Sequence, residues 1–438
     1  MELNEVPIVL ILLGLAAYAV LGGADFGAGF WQLVGERNER GNEIREHAHH
    51  AMGPVWEANH VWLIFVLVVC WTAYPRAFGS ITSTLAVPLF VAGVGIILRG
   101  TAYALRSGTM TAREQRRVEM LLGVSSVLTP FALGAVIGGI ASGRVPVGNA
   151  EGDLVTSWLN ETSIMIGLIA VTASAYLAAV YLAADAVRLG RAEVAAAYRA
   201  RALAAGLTAG AIAVAGLFVV HEDARPIWDG LTSGAGLVAV LVSLAGGGAT
   251  LWLVRAGRFE PARATSAVAV AAIIAGWGFA QNPTFLPGLS VEDAAAGRST
   301  LVTLIVAVVL GALLLAPSLW LLFELKLRGR FDAPMAEPAG GPVFGGAVFA
   351  PSTLLAITGA CFAVGACLLM FLESTWAHVA GALFLLGFLG TGLVAVGGSA
   401  AAADIGDELD LASSEARRQV HVRPRGVSAA EDRAAGHN

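Results

Sequence analysis

Charge is scarce in this chain. Asp, Glu, Lys and Arg make up only 13% of its 438 residues, where soluble domains carry about 25%. That shortage excludes an ordinary soluble globular protein. With a net charge of −5 there is no strong bias of either sign, and no nucleic-acid partner is expected. Lysine is nearly absent, Lys326 being the single one among 27 basic residues, which reads as composition bias rather than mechanism. The three cysteines, Cys70, Cys361 and Cys367, all fall in apolar runs, so they read as small core side chains rather than a disulfide or metal set. Period-2 alternation is missing, which excludes an outer-membrane β-barrel. A basic stretch and a cleavage site are missing before the first apolar run, so that run is expected to be retained.

Apolar residues are abundant instead, at 57% of the chain with a mean hydropathy of +0.73. Runs of spanning length recur near 7–34, 54–74, 79–98, 119–141, 161–186, 202–220, 232–254, 265–282, 301–325, 354–372 and 376–402. Each supplies the roughly 18–20 residues needed to cross a hydrocarbon core of about 30 Å. The expected fold class is therefore an all-α polytopic membrane protein of about eleven spans. Alternate connections differ sharply in basic residues, with twenty-three on one side and four (Arg76, Arg144, Arg225 and Arg298) on the other. Short basic loops stay cytoplasmic, which predicts an N-terminus outside and a C-terminus inside.

Residues 1–330 read as a dense membrane core of nine spans. The segment 331–353 holds Pro334, Pro338, Pro342 and Pro351 among several glycines and reads as a linker. Residues 354–402 read as an additional transmembrane hairpin, and 403–438 as a polar cytoplasmic tail, acidic first and basic last.

Two of the acids within these runs stand in distinctive motifs: Asp25 in Gly22-Gly23-Ala24-Asp25-Phe26-Gly27-Ala28-Gly29, and Glu57 in Pro54-Val55-Trp56-Glu57-Ala58-Asn59-His60-Val61-Trp62-Leu63. A carboxylate in a span costs about 2.5–3.5 kcal/mol on insertion scales, so it needs a partner, water or a function. The predicted orientation places both acids toward the cytoplasmic side at similar depth, where partly dehydrated acids exchange protons. Pro54 suits a first helical turn, Glu57 suits the dipole there, and Glu57 and His60 share a face. Gly23 and Gly27 form a small-xxx-small pattern around Asp25 that lets a neighbouring helix approach. His47, His49 and His50 lie in the intervening connection, read as a solvated loop rather than a metal cluster, because Cys and Asp ligands are lacking at suitable spacing. His60 and His378 are the histidines inside expected spans, and each reads as a hydrogen-bonded packing residue rather than a haem ligand.

Together, in order, the two segments resemble subunit II of cytochrome bd-type quinol oxidases. That family carries a Gly-Phe-Asp-Leu-Gly-Val-Gly-like stretch in its first helix and a Pro-Val-Trp-Asp-Gly-Asn-x-x-Trp-Leu-like stretch opening the second. Here Gly23–Gly29 and Pro54–Leu63 stand in those places, and Leu98-Arg99-Gly100 is similar to a further step of the family. The resemblance covers about residues 1–330. It implies two four-helix bundles plus a ninth helix, no cofactor bound in this chain, and a haem-bearing subunit I as partner, with haems b and d or b-type only. It also implies quinol as substrate, dioxygen reduced to water, and a proton path through Asp25 and Glu57, with Asn59, Trp56 and Trp62 along it and Arg99 as a charged landmark nearby. His60 joins Asn59 as a candidate on that path. A structural quinone or lipid, and a small accessory subunit, are compatible with the family, as is a bacterial cytoplasmic membrane. The sequence departs from the pattern at Glu57, commonly Asp, at Ala58, commonly Gly, and at His60. The hairpin after residue 330 is not part of the family core. A proton-coupled secondary transporter is the competing reading, since many spans and membrane acids fit that class too.

Overall fold

The computed structural model describes residues 2–35, 39–52, 56–106, 112–327, 351–371, 374, 376–377, 379–388 and 391. Side chains at 49–58 are outside the described set, as are the linker at 331–350, His378 and the tail. The chain forms two units, Met1–Leu322 and Phe323–Asn438.

Proline starts the first helix, α1 (Val6–Ala17), where its missing donor costs nothing. A π-helical turn over Tyr18–Gly22 follows, and α2 (Gly23–Val34) continues the same rod. Next come α3 (Glu39–Met52), α4 (Trp56–Ala73), the short α5 (Pro75–Thr84) and α6 (Ala86–Arg106). The long helices α7 (Ala112–Ala141), α8 (Glu161–Arg188) and α9 (Ala192–Asp223) are followed by the short α10 (Arg225–Leu231). Helices α11 (Gly234–Arg255) and α12 (Phe259–Gln281) lead into a small antiparallel pair, β1 (Thr284–Leu286) and β2 (Leu289–Ser290), and a turn of helix, α13 (Val291–Ala294). The last long helices are α14 (Arg298–Leu327) and α15 (Pro351–Phe371).

This is an all-α polytopic membrane protein. Among the described residues seven helices are long and apolar enough to span, and shorter apolar helices cover Asn59–Ala73, Arg298–Leu313, Ala356–Gly365 and Val379–Phe388. One expected span is shifted. The run read as 79–98 is broken at Leu85, so that α5 stands apart and α6 begins at Ala86. The break has a use. Ser80 and Ser83 on α5 accept backbone N–H groups of Gly148 and Ala150, which pins the connection between α7 and α8.

Helix α8 lies at the centre, packed on α2, α7, α9 and α12. Its stretch Ala175–Ala184 is buried except at Tyr181, and half of it is alanine, small side chains that let four neighbours approach one rod. Large apolar side chains such as Leu13, Trp71, Phe90 and Ile97 face outward, as lipid-facing positions do. At one end of α8, Asp223 accepts both Nη groups of Arg144 at 2.5 and 2.9 Å and the Thr162 hydroxyl at 2.6 Å, tying the ends of α7, α8 and α9 together. In the second unit α15 packs on the helix that follows it, with Phe362 against Phe388 and the Thr358 hydroxyl donating to Thr391.

The reading of His47, His49 and His50 as a solvated loop is corrected. They lie on α3, and His47 is 1% exposed. Ile44, His47 and Ala48 share one face, which the surrounding charged residues hide in the sequence. His47 Nε2 donates to the Leu182 carbonyl at 3.1 Å, 3.9 Å from Asp185 Oδ2, and Tyr198 donates to the Ile44 carbonyl.

Candidate functional site

Every residue from Gly22 to Gly29 is buried. A helix buried on all sides needs neighbours on all sides, and glycine and alanine make that possible. A Cβ on Gly27 would collide with the backbone carbonyl of Ser174 on α8, and one on Gly29 with Ser126 Oγ on α7. A Cβ on Gly23 meets Ser174 and Leu177 only at 3.4 Å, an ordinary contact. The two glycines of the pattern therefore differ. Gly27→Ala is expected to cost about 1–3 kcal/mol by forcing α2 and α8 apart, and Gly23→Ala to be tolerated. Thermal midpoints of the two variants, compared side by side, check this.

Within that cage Asp25 is 1% exposed and Arg99, from α6, is fully buried. Arg99 Nη2 donates to Asp25 Oδ1 at 2.6 Å and to the Asp25 carbonyl at 2.9 Å, while Nη1 donates to Ser126 Oγ. The Ser126 hydroxyl in turn donates to the Leu122 carbonyl at 2.6 Å. Pro130, inside α7, has no N–H for the Ser126 carbonyl four residues back, which opens the helix at this point. Tyr103, one turn beyond Arg99, brings its hydroxyl to 3.3 Å from Arg99 Nη2 and 3.5 Å from Asp25 Oδ1. The guanidinium also lies over the rings of Phe26 and Tyr103, at 5.1 and 5.3 Å, a further stabilising arrangement for a desolvated cation. Asp25 Oδ2 and Arg99 Nε are buried with no hydrogen-bond partner among the described residues.

The other candidates sit beside this pair. Asn59 donates to the Leu21 carbonyl at 3.3 Å, inside the π-helical turn that precedes Asp25. Such turns widen the hydrogen-bond ladder, and a side chain from α4 satisfies the carbonyl here. His60 Nδ1 lies 3.4 Å from the Tyr18 hydroxyl, and its ring stands 6.0 Å from those of Tyr18 and Phe26. Asn59 and His60 thus reach the first helix immediately before Asp25. Trp62 packs edge-on to Phe65. Trp56 and Glu57 open α4, but their side chains are outside the described residues, and Pro54 lies outside them altogether.

Arg99 is more than a landmark: it is the counter-ion of Asp25. Ser126, Tyr103, Tyr18 and Phe26 complete the site and were missed in the sequence. Tyr103 was findable, standing four residues from Arg99 on one face. Ser126 carries no local signal, because only the meeting of α2, α6 and α7 brings it there.

The family model described as cytochrome bd terminal oxidase subunit II matches residues 3–326. The chain belongs to that family. Among curated relatives, the putative cytochrome bd menaquinol oxidase subunit II of Bacillus subtilis (strain 168) is 30% identical over 120 residues, which are 26% of this chain and 32% of the relative. The cytochrome bd ubiquinol oxidase subunit 2 of the same organism is 23% identical over 170 residues, 38% of this chain and 49% of the relative. These matches thus span a third to a half of the relatives' length. Among solved structures, a chain of the bd oxidase from Geobacillus thermodenitrificans is similar at 26% identity with a TM-score of 0.59, over 75% of this chain and 99% of that one. Subunit II membership covers the first unit and stops short of α15.

Proposed function

We propose that this chain is the haem-free subunit of a bd-type quinol:oxygen oxidoreductase in a bacterial cytoplasmic membrane. In this reading a partner subunit I carries the haems and oxidises quinol, and this chain supports it and conducts protons from the cytoplasm. The observation that carries the reading is the buried Asp25–Arg99 pair, set in the stretch that resembles the family's first motif.

Reduction of dioxygen to water takes up protons and electrons in equal number, so the oxygen-reducing centre needs a proton supply through the membrane's low-dielectric interior. A bare carboxylate there would be costly. Arg99 offsets that cost by holding Asp25 Oδ1, and leaves Oδ2 as the atom able to accept a proton. Glu57 opens the adjacent helix and, in this reading, delivers protons toward Oδ2. His60 and Asn59 hold α4 against the π turn, so that the two acid-bearing segments keep one spacing. Glu57 carries the proton inward in this reading, and Asp25, its Oδ1 held by Arg99, relays it onward through Oδ2.

Affinity purification of the tagged chain tests the assignment. A haem-bearing partner with b-type, or b- and d-type, absorbance is expected to arrive with it in equal amount. Recovery of the chain alone, without visible absorbance from any partner, would remove the oxidase reading.

A further inference from the structure

Three polar atoms around the ion pair are buried and meet no hydrogen-bond partner among the described residues: Asp25 Oδ2, Arg99 Nε and the Thr129 hydroxyl. The first two lie side by side, each separated by a single atom from the Oδ1 and Nη2 joined at 2.6 Å. Helices α6 and α7 bring the third to them. Arg99 meets Ser126, and one turn along each helix Gly95 meets Thr129, so closely that a Cβ on Gly95 would collide with the Thr129 hydroxyl. Side chains on a helix lean toward its N-terminus. The Arg99 stem, which carries Nε, therefore passes over Gly95, while Thr129 leans back toward Ser126. Thr129 also stands apart on its own helix. A helical Ser or Thr often donates to a carbonyl three or four residues back, as Ser125 and Ser126 do to Leu122, and Thr101 and Thr172 do elsewhere. Thr129 makes no such bond, although Pro130 leaves the Ser126 carbonyl without its backbone donor.

The chemistry of the three atoms selects their ligand. Nε–H requires an acceptor, the carboxylate Oδ2 requires a donor, and a hydroxyl serves as either. A chloride ion leaves Oδ2 unpaired, and a metal cation leaves Nε–H unpaired. Water satisfies all three, and buried waters make about three such bonds. We propose that Asp25 Oδ2, Arg99 Nε and Thr129 Oγ1 hold one ordered water, and that Thr129 is the residue positioning it for proton transfer. The proposal rests on the proton-conducting reading above and names what receives the proton from Asp25. As the proton leaves, the Oδ2–H bond breaks and an O–H bond to the water forms. The water then releases one of its own protons on the side of Thr129, which regenerates it and leaves Asp25 a carboxylate. That proton ends on the oxygen being reduced in the partner subunit.

Thr129→Val tests this, because it keeps the shape and removes the hydroxyl. Deleting a buried hydroxyl that binds nothing is neutral or stabilising, whereas deleting one that holds a shared water leaves other groups unpaired. The variant complex is expected to keep its partner and haem, to melt below the parent, and to consume oxygen about tenfold more slowly. Its solvent deuterium isotope effect should rise. Thr129→Ser, which restores the hydroxyl, should recover the rate. In electron cryo-microscopy maps that resolve ordered water, a peak bonded to the three atoms is expected in the parent and not in Thr129→Val. If Thr129→Val does not assemble, the parent map decides alone. No peak in the parent, a peak retained in Thr129→Val, parental rate and isotope effect in that variant, or no recovery in Thr129→Ser would each overturn the proposal. All four leave the oxidase assignment standing, since that fails only when the chain is recovered without a haem-bearing partner.

Discussion

Asp25→Asn and Arg99→Gln are each expected to lower the yield and thermal midpoint of the complex severely, and the double variant to recover most of both. The pair is closed at 2.6 Å with both side chains out of reach of solvent. Removing either partner leaves the other as an uncompensated buried charge, which costs about 3–5 kcal/mol. Domains are typically stable by only about 5–15 kcal/mol, so the loss is a large fraction of the total. The double variant leaves no orphan charge and retains amide groups able to hydrogen-bond. It should fold and still fail to support turnover. The measurement is complex recovered per cell and its midpoint, with oxygen consumption normalised to haem. Single variants as stable as the parent would show that the ion pair does not hold α2 to α6. A double variant no better than the singles would assign the damage to lost packing around Ser126 and Phe26 instead.

Glu57→Gln is expected to leave assembly intact and to reduce oxygen consumption on the order of a hundredfold, the low end of what a positioned proton-transfer group contributes. Glu57 lies in the first turn of α4, where replacing it removes one charge and little volume. Glutamine keeps the size and cannot carry a proton. Glu57→Asp, which restores the family's commoner residue, should keep most of the turnover. The contrast between Gln and Asp separates proton carriage from packing. Parental turnover in Glu57→Gln would end the role of this residue as carrier. The contrast with Asp25 is informative, because there charge loss threatens the fold before it can report on catalysis.

The acids were legible because charge in an apolar run is rare and costly, so Asp25 and Glu57 stood out without any knowledge of their neighbours. The glycines around Asp25 announced close helix contact, though not that Gly27 and Gly29 meet different helices while Gly23 meets only ordinary contacts. Helix α3 was misread because its described buried face, Gly41, Ile44, His47 and Ala48, carries a single large apolar side chain among charged neighbours. The break at Leu85 was illegible too, since α5 and α6 together read as one continuous apolar region.

By itself the sequence determined the class of molecule, the apolar segments that become helices and the family motifs, all of which follow from hydropathy and order along the chain. Only the tertiary structure decided that Arg99 closes on Asp25, that Ser126 and Tyr103 complete that site, and that Trp277 and Gln281 line an apolar cavity along α1. The physical reason is that an ion pair between residues 25 and 99, or a serine presented by α7, depends on which helix faces meet, and that choice is made by packing over the whole bundle.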